Sequence, residues 1–137
     1  MASRRIEDLQ PLLQVKARHF LNLCEREWPG GEVDVIITNT LRTMVEQQAL
    51  YDQGRSKPGK IVTWAKPGSS AHNYGLAFDF VPLRMGKPVW GTKGADLELW
   101  MRCGHIGETL GLEWGGRWTK KPDMPHFQIP NWRTLVQ

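Results

Sequence analysis

Residues 70–83 have the sequence SAHNYGLAFDFVPL, in which a turn-forming segment leads directly into an apolar run. The run from Leu76 to Leu83 predicts a buried strand. Asp79 lies in the middle of this strand, and a carboxylate among apolar side chains is costly unless it is paired or bound to a metal. His72 lies where the chain enters the strand, so one short segment holds two residue types that bind metals.

A second segment, Asp123-Met-Pro-His126, lies some forty residues later. His72, Asp79 and His126 together form a plausible three-ligand zinc site, and Asp123 adds a second carboxylate three residues before the last histidine. A catalytic zinc centre needs three protein ligands, an open position for water and a nearby base. The combination predicts a hydrolase with Asp123 as the base.

Amide hydrolysis also needs a positive group for the developing oxyanion. Arg42 follows the first predicted strand, where its side chain can point into a cleft. Structural interpretations stay open for each residue taken alone: the histidines could be structural, Asp79 could pair with an arginine, and Arg42 could form a surface salt bridge.

The remaining patterns predict a mixture of helices and strands. Helices are expected at 11–28, from the Thr43/Glu46 capping box to Gly54, and at 96–110; strands are expected at 33–38, 76–83 and 126–129. Residues 55–69 predict a long loop before His72. The fold class expected is α+β, with a small, mostly antiparallel sheet flanked by about three helices and a zinc site in a groove on the sheet. A length of 137 residues favours a single domain over 1–137.

Side-chain burial is predicted from the same periodicity. On the third helix, the expected core positions are Leu97, Trp100, Met101, His105 and Leu110. Four tryptophans are candidates either for the core or for the lining of a groove: Trp64, Trp90, Trp114 and Trp118. The cysteines, Cys24 and Cys103, lack metal-pair spacing and predict two buried thiols.

The net charge is +4, from 18 Lys and Arg against 14 Asp and Glu. Such an excess fits an anionic partner: nucleic acid, a membrane surface or an acidic cell-wall polymer. The positive residues are dispersed and no nucleic-acid motif is visible, so nucleic acid is not expected as a partner. No stretch approaches the ~20 apolar residues of a membrane span, and no secretory signal is visible, so we expect cytoplasmic synthesis without stable membrane insertion.

The pattern Ser70-x-His72-x-x-Gly75-x-Ala77-x-Asp79, with Asp123-x-x-His126, resembles the LAS-type zinc peptidases. This family contains D-alanyl-D-alanine carboxypeptidases and dipeptidases and the phage L-alanyl-D-glutamate endolysins. The segment 41–51 is also similar to the family's arginine-bearing motif, and the resemblance extends over about residues 33–130. Aspartate rather than glutamate at 123 is similar to the phage endolysins.

The resemblance implies a role for each matching residue. One zinc ion per chain would be held by His72, Asp79 and His126, with Asp123 as general base, Arg42 as the transition-state arginine, and Ser70 and Gln47 supporting the site or contacting substrate. Glu113 is a carboxylate in the same neighbourhood that does not match the motif.

The function implied is that of a phage endolysin of Gram-negative hosts, a zinc peptidase that hydrolyses the L-alanyl-D-glutamate bond of the peptidoglycan stem peptide. It would be a monomer made in the host cytoplasm, and it would act on the periplasmic cell wall after holin-assisted permeabilisation of the membrane. The alternatives are a D-alanyl-D-alanine carboxypeptidase, a non-catalytic zinc-stabilised module that binds cell wall and, on charge alone, a nucleic-acid-binding protein.

Overall fold

The computed structural model describes residues 2–137. Its helices are α1 (Pro11–Glu27), α2 (Met44–Asp52) and α3 (Gly94–Thr109). Its strands are β1 (Val33–Asn39), β2 (Ala77–Arg84), β3 (Lys87–Pro88), β4 (Glu113–Trp114) and β5 (His126–Gln128). Short 3-10 turns lie at Ile6–Asp8, Ala71–Tyr74, Gly115–Arg117 and Trp132–Leu135.

The strands form one sheet in the order β1-β2-β5-β4, with β3 paired to β2, and every pairing is antiparallel. The predicted α+β class, with three helices and a small antiparallel sheet, is confirmed. The capping box at the start of α2 is also present: the Glu46 backbone N–H donates to Thr43 Oγ1, and the Thr43 backbone N–H donates to the Glu46 carboxylate.

The core lies between the sheet and the pair α1 and α3. Phe20 of α1 contacts the rings of Phe78, Phe80 and Phe127 at centroid distances of 5.9, 5.3 and 5.0 Å. All four side chains are fully buried. Alternate residues of a strand point to opposite faces, so Phe78 and Phe80 direct one face of β2 toward the helices and leave Asp79 on the other.

Helix α3 approaches the sheet through glycines. A Cβ atom at Gly104 would collide with the Trp114 ring, and one at Gly107 would collide with the Phe127 ring. The buried face of α3 therefore combines small residues with two large ones, Leu99 and Trp100.

This packing overturns part of the predicted helix face. Leu97 and Met101 are 39% and 37% exposed, and His105 is also exposed, whereas Leu99 and Cys103 are buried. The prediction was wrong because glycines, which permit the closest contact here, were not counted as core positions. Cys24 and Cys103 are both buried free thiols, as predicted.

Among the helices within residues 2–137, none combines the length and the apolar character needed to cross a membrane.

Candidate metal centre and active-site groove

Polar side chains form a row across the sheet face that points away from α1 and α3. Asp79 of β2 lies directly opposite His126 of β5, and Gln128 of β5 lies opposite Glu113 of β4. His126 and Gln128 are two residues apart in the same strand, so they share a face. The antiparallel register therefore brings together four polar residues that are widely separated in the chain.

His72 reaches this row from the 3-10 turn Ala71–Tyr74. Ser70 caps the turn by accepting a hydrogen bond from the His72 backbone N–H, and Asn73 completes a capping box. Gly75 ends the turn at φ 69°, a left-handed conformation that favours glycine. The Gly75 of the motif is thus explained by the direction change between the turn and β2.

The three predicted ligands meet at one point. His72 Nε2 lies 3.1 Å and His126 Nδ1 lies 3.2 Å from the same oxygen, Asp79 Oδ1. One ligand atom from each residue lies within 4.8 Å of the other two. Both histidines are buried.

Hydrogen bonds on the far side of each ring define which nitrogen carries the proton. His72 Nδ1 lies 2.8 Å from the Thr40 carbonyl oxygen, which can only accept, so Nδ1 is the donor. His126 Nε2 lies 2.8 Å from Gln128 Oε1 and donates in the same way. The nitrogens that face Asp79 are therefore lone-pair atoms, which need either an added proton or a cation between them and the carboxylate.

This donor set fits a zinc ion. Two imidazole lone pairs and one carboxylate are common catalytic zinc ligands, and each ring is oriented by a hydrogen bond from its other nitrogen, as metal-binding histidines generally are. Asp79 Oδ2 accepts a hydrogen bond of 3.2 Å from Asn39 Nδ2, which orients the carboxylate.

Electrostatics keep Asp79 in its charged form. Burial acts to raise the pKa of Asp79, but when the imidazole nitrogens that face it carry a proton, the positive charge at His72 and the hydrogen bonds of both rings outweigh this effect. The pKa of Asp79 therefore lies well below its usual range, and the residue is a carboxylate at neutral pH.

The three ligands open into a groove with a volume of about 840 Å³. Trp64, Trp118 and Trp132 line the groove, and Trp64 is 62% exposed. Trp114 belongs to the core, and the exposed Trp90 does not line the groove. The four candidate tryptophans are thus divided, and Trp132 was not among them.

Asp123 lies at the groove beside the metal ligands. Its backbone N–H donates to the Gly115 carbonyl, and its own carbonyl accepts from the His126 backbone N–H, which closes a tight turn. Although the residue is exposed, the groove walls partly desolvate its carboxyl group, and this raises the pKa of Asp123. The charge of nearby Asp79 acts in the same direction, while His126 opposes it. A carboxylate with a raised pKa is a better proton acceptor.

Arg42 also lines the groove, and its backbone is tied to the metal site. The Arg42 N–H donates to the His72 carbonyl at 3.0 Å, and the side-chain Nη1 donates to Gln47 Oε1 at 3.0 Å. Within residues 2–137, its buried Nε–H has no hydrogen-bond partner. The hydrogen bond to Gln47 thus holds the guanidinium at the groove.

Gln47 and Ser70 occupy different positions. Gln47 is completely buried and does not line the groove, so it is not placed to contact substrate. Its Nε2 donates to the Ala65 carbonyl at 2.7 Å, which leaves Oε1 to accept from Arg42 and orient it. Ser70 lines the groove while it caps the turn that bears His72.

Several residues that shape the site were missed from the sequence. Thr40 contributes only its carbonyl, which no side-chain pattern reveals. Asn39 and Gln128 could have been found, because alternation along β1 and β5 places them on the face of Asp79 and His126. Glu113 was noted as a nearby carboxylate but was given no role; its pairing with Gln128 places it on the same face.

The antiparallel sheet and the three clustered ligands indicate a metallopeptidase. Comparisons with known proteins agree with this class. Residues 64–129 match the family model described as D-alanyl-D-alanine carboxypeptidase. This segment contains all three candidate ligands and Asp123. The resemblance to the LAS-type peptidases inferred from the motifs is confirmed.

Individual relatives narrow the class. The chain is 44% identical over 106 residues to the peptidoglycan L-alanyl-D-glutamate endopeptidase CwlK of Bacillus subtilis (strain 168), with 72% of this chain and 63% of that protein covered. It is 34% identical over 114 residues to an L-alanyl-D-glutamate peptidase of Listeria phage A118, with 82% of this chain and 35% of that protein covered. The chain thus spans less than two thirds of the length of either relative.

Solved structures share the fold. The Serratia marcescens L-Ala D-Glu endopeptidase ChiX superposes with a TM-score of 0.69 at 21% identity, over 100% of this chain and 93% of that one. A vancomycin resistance D,D-pentapeptidase VanY, solved with Zn(II), gives 0.60 at 16% identity, over 93% of this chain and 76% of that one.

Proposed function

We propose that this protein is a zinc-dependent peptidase that hydrolyses the peptidoglycan stem peptide between L-alanine and D-glutamate. The observation that carries the proposal is the convergence of His72, Asp79 and His126 on one point of a groove that Asp123 and Arg42 also line. The relatives with 44% and 34% identity, both named for this bond, support the choice of substrate.

When bound by these ligands, zinc would polarise the substrate carbonyl and lower the pKa of a coordinated water. Asp123 accepts the proton of the attacking water and passes it to the leaving nitrogen. Arg42 donates a guanidinium N–H to the oxygen of the scissile carbonyl as negative charge develops there. The buried Gln47 holds the guanidinium in place while this occurs.

The charge of the groove supports an acidic peptide as substrate. Lys120, Lys121 and Arg133 line the groove, and within residues 2–137 none of the three has a salt-bridge partner. Lys121 Nζ lies 3.8 Å from the centre of the Trp64 ring, which holds the ammonium at the groove wall. The stem peptide carries free carboxylates that such a rim would attract.

The test compares the wild type with Asp123→Asn on purified Gram-negative sacculi, with mass analysis of the released peptides. We expect new L-alanine and D-glutamate ends from the wild type and a loss of turnover of about 10²–10⁴-fold in the variant, while its zinc content is unchanged. Equal turnover of both proteins would refute the role of Asp123.

A second candidate activity is a D-alanyl-D-alanine carboxypeptidase, favoured by the description of the matching family model. The same digest separates the two activities, since a carboxypeptidase would release only D-alanine. Zinc binding without release of any peptide would instead indicate a non-catalytic module that binds cell wall.

A role in host lysis is the more specific part of the proposal. One relative comes from a phage and another from a bacterium, so the bond cleaved does not by itself define the biological role. Turbidity loss of outer-membrane-permeabilised Gram-negative cells on addition of the wild type, but not of Asp123→Asn, is the result expected of an endolysin.

A further inference from the structure

We propose that Glu113 is a positioning residue that holds both the metal ligand His126 and the groove-wall residue Trp118. The inference rests on the metal centre of the proposed function. It concerns a carboxylate that does not match the peptidase motif and that lies outside the set of ligands and catalytic groups.

A continuous hydrogen-bond chain carries the inference. Trp118 Nε1 donates to Glu113 Oε2 at 2.9 Å, and Gln128 Nε2 donates to the same oxygen at 3.1 Å. The other end of the Gln128 amide, Oε1, accepts from His126 Nε2 at 2.8 Å. The β4–β5 register, which pairs Glu113 with Gln128, builds this chain into the sheet.

The direction of the chain matters because an amide can be turned either way. A carboxylate only accepts hydrogen bonds, so Glu113 draws the NH₂ group of Gln128 toward itself and leaves the oxygen facing His126. That oxygen needs a donor, which places the imidazole proton on Nε2 and the lone pair on Nδ1, beside Asp79. Without Glu113, the amide is free to reverse, and a reversed amide would favour the tautomer with its proton on Nδ1.

The opposite tautomer cannot bind a metal at this point, since its Nδ1–H would face the position of the ion. Glu113 thus selects the metal-binding tautomer of His126 through two successive hydrogen bonds, by way of Gln128. Partners of this kind generally contribute about 10–100-fold to metal affinity.

The same carboxylate also orients the groove wall. Trp118 lines the groove, and its ring centroid lies 5.3 Å from that of His126. Because its indole N–H is bound to Glu113, the position of this wall is linked to the position of the metal ligand. Removal of Glu113 should therefore affect both metal binding and the contact with substrate.

The experiment measures zinc affinity by competition with a chelating dye in the full chain. Glu113→Ala and Gln128→Met should each weaken zinc binding by about 10–100-fold. Glu113→Gln, which retains an oxygen that can accept both hydrogen bonds, should lose less. Trp118→Phe, which keeps the ring but loses the N–H, should leave zinc affinity within about twofold of the wild type, because the link from Glu113 to His126 remains.

The matched control is Glu108→Ala. Glu108 also accepts side-chain hydrogen bonds, from Arg117, but among residues 2–137 no hydrogen bond links it to the metal ligands. Its removal should leave zinc affinity unchanged, so a general loss of stability can be told apart from a loss of orientation.

A second readout is independent of metal affinity and of activity. Two-bond ¹H–¹⁵N spectra of the imidazoles in the zinc-free protein should show the His126 proton on Nε2 in the wild type and a mixture of tautomers in Gln128→Met. If Glu113→Ala does not fold, Gln128→Met still decides the question. Wild-type zinc affinity and an unchanged Nε2 proton in the folded variants would overturn the inference; neither readout needs peptidase activity, so failure of the proposed function is a separate result.

Discussion

The two faces of the central strand β2 have different roles: one packs in the core and the other carries the candidate metal site. Toward the helices, Phe78 and Phe80 pack in a dry aromatic cluster around Phe20. Toward the groove, Asp79 lies among imidazoles and amides that are joined by hydrogen bonds. One face contributes stability through apolar burial, and the other places acceptor atoms where a cation would satisfy them. Substitutions on the two faces should therefore fail in different ways.

The largest loss of zinc and of activity is expected from substitutions on the groove face. His72→Ala removes a ligand whose lone pair faces Asp79, so the protein should lose both bound zinc and hydrolysis of sacculi. Zinc should raise the Tm of the wild type, since metal binding stabilises the folded state, and should leave the Tm of the variant unchanged. Zinc content by atomic absorption and calorimetry measure the two outcomes. Stoichiometric zinc in the variant would remove His72 from the ligand set.

The helix face should respond in the opposite manner. Phe20→Ala deletes a fully buried ring that contacts three other rings, so the free energy of unfolding should fall by about 3–5 kcal/mol. Under conditions where the variant is still folded, its zinc affinity should match that of the wild type. Urea denaturation and dye competition test this pair of outcomes, with Leu12→Ala on the exposed side of α1 as control. A parallel loss of zinc affinity would show that the two faces are coupled.

Within the groove, substitution of Arg42 should separate zinc binding from turnover. Arg42→Ala leaves the three ligands in place but removes the donor aimed at the oxyanion, so kcat should fall by about 10²–10³-fold with zinc content unchanged. Arg84→Ala, which removes a surface salt bridge to Asp96, is the matched control and should retain full turnover. Equal kcat for the two variants would exclude Arg42 from transition-state stabilisation.

The same contrast explains what the sequence could and could not predict. The apolar run of β2, the amphipathic period of α1 and the capping box of α2 are local patterns, and each of those elements formed as expected. The convergence of His72, Asp79 and His126 followed from motif spacing. The supporting partners were harder to find, because they depend on register and backbone: the Thr40 carbonyl has no side-chain signal, and Glu113 meets Gln128 only through the β4–β5 pairing. The packing of α3 through Gly104 and Gly107 could not be predicted either, because a glycine adds nothing to an apolar pattern.

The smallest effect is expected at the groove rim. Lys121 lies over the exposed Trp64 ring and has an exposed, solvated charge, so Lys121→Met should raise KM for sacculi peptides only about two- to fivefold and leave kcat unchanged. If the rim attracts substrate carboxylates, the difference between the variant and the wild type should shrink as salt is added, since salt screens exposed charges. Lys87→Met, which changes an exposed lysine of β3 that does not line the groove, should not alter KM. A KM that depends equally on salt in all three proteins would mean that Lys121 does not attract the substrate, and would leave any charge attraction to Lys120 and Arg133.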